Sequence, residues 1–168
     1  MDNCAHRTIM NKFQNLKGIL VSVFLQGRVD IMTRREAREA VLELLFETEF
    51  RSDESKEEIY ASSAENREIP DDDYIRDTYY AVCDNRDEID ALIGENSNGW
   101  RPDRLGNVSR SVLRLAVYEM KFVDSIPYNV AINEAIELTK KYDDEKARPF
   151  INGVLNSVKN SLGEKAEG

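Results

Sequence analysis

The chain has 168 residues, 41% hydrophobic and 33% charged, a balance that suits one globular domain and excludes a disordered or fibrous chain. Its net charge of -9 repels a phosphate backbone, so general polyanion binding is disfavoured and any RNA contact needs a local basic patch. Cys4 and Cys83 lie in unrelated contexts and His6 is the sole histidine, which leaves no disulfide framework, no Ser-His or Cys-His catalysis and no ordinary zinc site.

Residues 1–31 read as an N-terminal extension. Ile19–Leu25 is an apolar run behind Arg7, Lys12 and Lys17, too short to span a bilayer and lacking a small-residue cleavage site. Neither membrane insertion nor export is expected, and the cysteine usage fits a reducing, cytoplasmic setting. Met32 stands directly before a well-formed helix, so the functional protein is expected to begin near it. The competing reading is an extra helix docking through Phe13, Leu16, Leu20 and Phe24.

Thr33 and Glu36 make a capping box for the first helix, whose core stripe is Ala37, Val41, Leu44 and Leu45. Glu36, Glu39, Glu43 and Glu47 share the far side. Arg34, Arg35 and Arg38 lie on the other flank of the stripe, with Phe46 two turns below them. A short helix capped by Ser52 follows, anchored by Ile59 and Tyr60. Pro70 and Asp71–Asp73 then announce one helix with the stripe Ile75, Tyr79, Val82, Ile89 and Ile93, ended by Gly94. Its leading aspartates favour the helix dipole, a simpler account than a metal site.

Glu95–Gly99 reads as a loop, closed by Trp100 and Pro102. Ser109 or Ser111 opens VLRLAVYEMKFV, apolar around most of its circumference and therefore the central, buried helix. Pro127 and Asn129 start the next, with Val130, Ala131, Ala135 and Leu138 on one face and Ile132 and Ile136 beside it. Pro149 begins a last helix anchored by Phe150, Val154, Val158 and Leu162, in which Gly153 is read as admitting a close neighbour. The expected fold is all-α, a compact bundle of about six to seven helices in two packed sub-bundles parted near residues 95–104. It spans 32–162, and 163–168 is a polar tail.

No phosphate loop, nucleophile elbow, HExxH or CxxC occurs, so neither catalysis nor a cofactor or metal is expected. Glu119, Glu134 and Glu137 read as solvated or ion-paired acids. Arg34, Arg35 and Arg38 are the best nucleic-acid signal, offering guanidinium forks to phosphates beside Phe46 as a stacking surface. Composition alone favours the blander reading, a solvated helix start with Phe46 in the core.

Four stretches carry a family resemblance: RREAREAVLELLF (34–46), VSRSVLRLAVYEM (108–120), IPYNVAINEAIEL (126–138) and PFINGVLNSV (149–158). Together they resemble the NusB family of transcription antitermination factors. The resemblance implies two helical sub-bundles and binding of boxA-type single-stranded RNA in nascent ribosomal RNA. It also implies partnership with NusE, a small-subunit ribosomal protein, in the RNA polymerase antitermination complex, and homodimers are known in the family. The family's arginine-rich motif corresponds to Arg34, Arg35 and Arg38, its aromatic contacts to Phe46 and Phe150, and Arg110 lies beside a further RNA-contacting position. Glu36 interrupts the basic run, and Phe46 stands where the family often has tyrosine. The alternative is a protein-binding helical scaffold with weak or no specific RNA binding.

Overall fold

The computed structural model describes residues 32–67, 72–97, 99 and 105–163. The readings of residues 1–31, Pro70, Asp71, Trp100, Pro102 and the end of the tail lie outside them. Seven helices and no strand occur among the described residues.

Helix α1 (Arg34–Thr48) starts from the expected capping box. The Thr33 amide donates to Glu36 Oε2 at 2.7 Å and the Glu36 amide to Thr33 Oγ1 at 3.2 Å. A second box opens α2 (Lys56–Arg67), but on Ser55 rather than Ser52. Ser55 has a glutamate three residues on, and Glu58 accepts its amide at 2.8 Å, whereas Ser52 has no such partner.

The single helix expected after the aspartates is two, α3 (Asp73–Asp84) and α4 (Arg86–Asn96). The break is Asn85, at φ -101° and ψ 16°, whose side-chain amide donates back to the Ala81 carbonyl at 2.8 Å. An asparagine that satisfies backbone groups locally competes with helix continuation. Asp72 caps α3 by accepting from the Tyr74 and Ile75 amides. Gly94 does not end α4, which runs two residues further.

Helix α5 (Asn107–Phe122) begins before both serines proposed to open it. Ser111 lies inside and returns its hydroxyl to the Asn107 carbonyl at 2.8 Å. As its composition predicts, α5 is buried nearly all round. Helix α6 (Tyr128–Tyr142) follows Pro127, and α7 (Ala147–Leu162) starts two residues ahead of Pro149. A proline in the first turn costs no hydrogen bond, because that amide has no intrahelical acceptor. Two residues of these helices depart from expectation. Val130 is 42% exposed rather than in the core. Gly153 is exposed, with no atom within 4 Å of where a Cβ would stand, so it admits no close neighbour.

Helices α1 to α3 pack as one group and α4 to α7 as another: α4 lies chiefly against α5 and α7, so the division falls at the Asn85 break between α3 and α4 rather than near residues 95–104, where it was expected. Helix α5 belongs to both: it lies against α4, α6 and α7 and also contacts α1 and α3. Val112, Leu113, Val117 and Met120 on α5 are fully buried and join the two halves into one core.

Candidate nucleic-acid interface

The three arginines at the start of α1 have separate fates. Arg34 and Arg35 are exposed, whereas Arg38 is 5% exposed. Arg38 Nε donates to both carboxylate oxygens of Glu119, at 2.9 and 3.2 Å, and Glu119 on α5 is itself 1% exposed. Tyr74 of α3 donates its hydroxyl to the same carboxylate at 2.6 Å. Burial, and then the Glu119 charge, push the Tyr74 phenol well above the ordinary tyrosine value, so it remains a donor. Arg34 lies across the Tyr74 ring, its guanidinium carbon 4.0 Å from the centroid. Arg38 is thus a tie between three helices rather than part of an open patch.

Phe46 is also withdrawn. Arg38, Leu42, Phe46 and Phe50 are spaced four apart and form one ridge, and its first three members are buried. At 1% exposure Phe46 presents no face to a base in this structure. Its ring lies 5.0 Å from that of Phe50, which is 45% exposed and is the aromatic that this ridge shows to solvent. The i+4 spacing marked Phe50 in the sequence, but its place at the very end of the helix hid that signal.

Arg110 sits at the other end of α1. It pairs with Glu49, the C-cap of that helix, and donates to Asn107 at 2.7 Å. Glu49 also accepts from Arg114, which forks onto Asp90 at 2.7 Å through both nitrogens. Fourteen residue steps take α1 from Arg35 to Glu49, about 21 Å along the axis, so Arg110 is not part of the Arg34–Arg35 site. Phe150 is half-buried in the first turn of α7 and packs against the core.

Arg35 instead borders a cleft of about 390 Å³ between α1 and α6, lined also by Glu39, Glu134, Glu137, Lys140 and Lys141. Its Nε and Nη2 donate to the two oxygens of Glu134 at 3.1 and 2.9 Å. That hydrogen-bonded pairing raises the arginine pKa and holds the Glu134 carboxyl below the usual carboxylate value. Lys140 and Lys141 bring further positive charge to the same cleft, which the helix-by-helix reading missed because α6 meets α1 only through side chains across the cleft, as Lys141 meets Glu39.

The NusB family pattern matches residues 35–160, three-quarters of the chain. The chain belongs to the NusB family. It is 42% identical to the transcription antitermination protein NusB of Bacillus licheniformis over 131 residues, covering 78% of this chain and 99% of that protein. The corresponding Listeria monocytogenes protein is 44% identical over 127 residues, covering 76% of this chain and 96% of its own length. Among solved structures, T. maritima NusB superposes with a TM-score of 0.69 at 38% identity, over 76% of this chain and 90% of that one. A crystal structure of the antitermination factors NusB and NusE in complex with dsRNA gives 0.69 at 31% identity, over 76% of this chain and 96% of that one. Of the four motifs that resemble the family, 34–46 and 108–120 lie on α1 and α5, and the runs 126–138 and 149–158 form α6, α7 and the loop entering α6. They are chiefly core and scaffold here.

Proposed function

We propose that this NusB-family chain is a transcription antitermination factor. It binds boxA-type RNA of nascent ribosomal RNA together with NusE and aids read-through by RNA polymerase. It acts in the cytoplasm and by binding, not by catalysis. The observation that carries the RNA site is the exposed Arg34–Arg35 pair at the capped start of α1, next to a cleft holding Lys140 and Lys141. Guanidinium groups there can fork onto phosphates; the half-buried Phe150 and, past the far end of α1 from the arginines, Phe50 are aromatic faces that an RNA tracking along α1 could stack on. Arg38 and Phe46 are buried and support α1 from within, while Arg110, paired with Glu49 at the far end of α1, stands apart from the Arg34–Arg35 pair. No helix among the described residues is long and apolar enough to cross a membrane.

The test is a titration of the full chain, with and without NusE, against boxA and scrambled RNA. The expected outcome is a boxA preference that Arg34→Ala plus Arg35→Ala weakens, with the salt slope reduced by about 0.7 for each lost phosphate contact. Equal binding of both RNAs by the wild-type chain would favour the protein-binding scaffold instead. Unchanged boxA binding by a folded double variant would remove the site from α1.

A further inference from the structure

The positive groups around the α1–α6 cleft each carry an acid of the same chain. Arg35 holds Glu134 through a two-point fork, and Lys141 Nζ lies 2.8 Å from both oxygens of Glu39. Lys140 stands 4.0 Å from Glu137. Of these pairings the Arg35 one is the fork, with two nitrogens each donating to its own carboxylate oxygen, which is also how a guanidinium grips a phosphate. The two ligands claim the same donors and cannot share them. The Glu134 side chain is 18% exposed and that of Arg35 54%, so the carboxylate is set into the α6 surface while the arginine reaches over it from solvent.

We propose that Glu134 is an internal competitor for RNA phosphate at Arg35. In the free protein its carboxylate occupies the fork, and RNA binds by exchanging that carboxylate for a phosphate oxygen pair. The exchange replaces one anion by another, so an isolated phosphate gains little from it. A chain that offers phosphates alone is therefore held off, and an RNA that adds base contacts is favoured. Glu134 is on this account a specificity-determining residue. The inference rests on the phosphate role given to Arg35 above.

Loosening Glu134 leaves the buried tie intact. Its oxygen is 3.9 Å from Arg38 Nη1, but Arg38 is satisfied by Glu119 at 2.9 Å. The experiment compares Glu134→Gln with Glu137→Gln, which makes the same change of charge in the same cleft without touching the Arg35 fork. Binding of the full chains to boxA RNA, scrambled RNA of equal length and heparin is followed by fluorescence anisotropy. Circular dichroism and urea midpoints establish that both variants are folded.

E134Q is expected to bind scrambled RNA and heparin about threefold or more tighter than E137Q, and its boxA-to-scrambled ratio to fall. Equal behaviour of the two variants, or weaker binding by E134Q than by wild type, overturns the proposal. Weaker binding would mean that Glu134 holds Arg35 in place for RNA. The two readings fail separately. A wild-type chain without boxA preference, whose E134Q form still gains on heparin, keeps the competitor and loses the boxA reading. A boxA preference that E134Q leaves unchanged does the reverse.

Discussion

Arg35 and Arg38 are one helical turn apart, and water decides what each can do. Arg38 lies out of solvent, where an unpaired guanidinium is costly and a partner must meet both its charge and its geometry. Glu119 supplies that, and Tyr74 satisfies a further lone pair of the same carboxylate. Arg35 keeps half its side chain in solvent, so its fork onto Glu134 is readily exchanged. Arg38→Ala is therefore expected to strand a buried carboxylate and cost about 3–5 kcal/mol, read by urea denaturation. Arg35→Ala should leave the unfolding midpoint close to that of wild type. Equal destabilisation by the two would contradict the division between a structural and a surface arginine. Sequence offered no means of telling them apart: the three arginines share one flank of α1, and only the approach of α5 and α3 buries the third.

At the scale of elements, periodicity located the bodies of α1, α5 and α6 and a Thr-x-x-Glu box located the start of α1, because both are local signals, whereas the serines read as opening α5 lie inside it. The division of α3 from α4 was not legible, since the apolar stripe continues through Asn85 and the break lies in one side chain turned back on Ala81. Gly153 is the opposite case. Its position inside α7 suggested a close helix contact, yet nothing stands within 4 Å of its missing Cβ. A glycine in a helix interior without such a contact only adds chain entropy to the unfolded state. Gly153→Ala is thus expected to stabilise the protein by about 1 kcal/mol, measured as a raised urea midpoint with an unchanged slope. A loss of stability would show that the residue has a packing role after all.

For the whole molecule, α5 makes two three- and four-helix groups into a single cooperative unit. Leu113 is fully buried on this shared helix. Its truncation to alanine is expected to cost about 2–5 kcal/mol and to lower the protection of α1 and α7 amides together in native-state hydrogen exchange. Loss confined to one group would mean that the sub-bundles fold independently. The charge of -9 belongs to this scale as well. On an acidic body, the RNA contact proposed above falls on a small basic edge that carries its own carboxylates, so its strength would be set locally rather than by the field of the protein.

Residue order alone did not place the division between the two helix groups, but it carried the family, the all-helical class and the central place of α5. Each of these follows from residue order along one helix or from motifs kept at fixed separations. Tertiary structure alone decided which of the α1 arginines meets solvent, that Phe46 is core while Phe50 is surface, and that Arg35 is held by Glu134. Arg38 and Glu119 are 81 positions apart and Arg35 and Glu134 are 99, and they meet because α1 and α6 both pack against α5. Local periodicity assigns a residue to a face of its helix. It does not say which neighbour will cover that face.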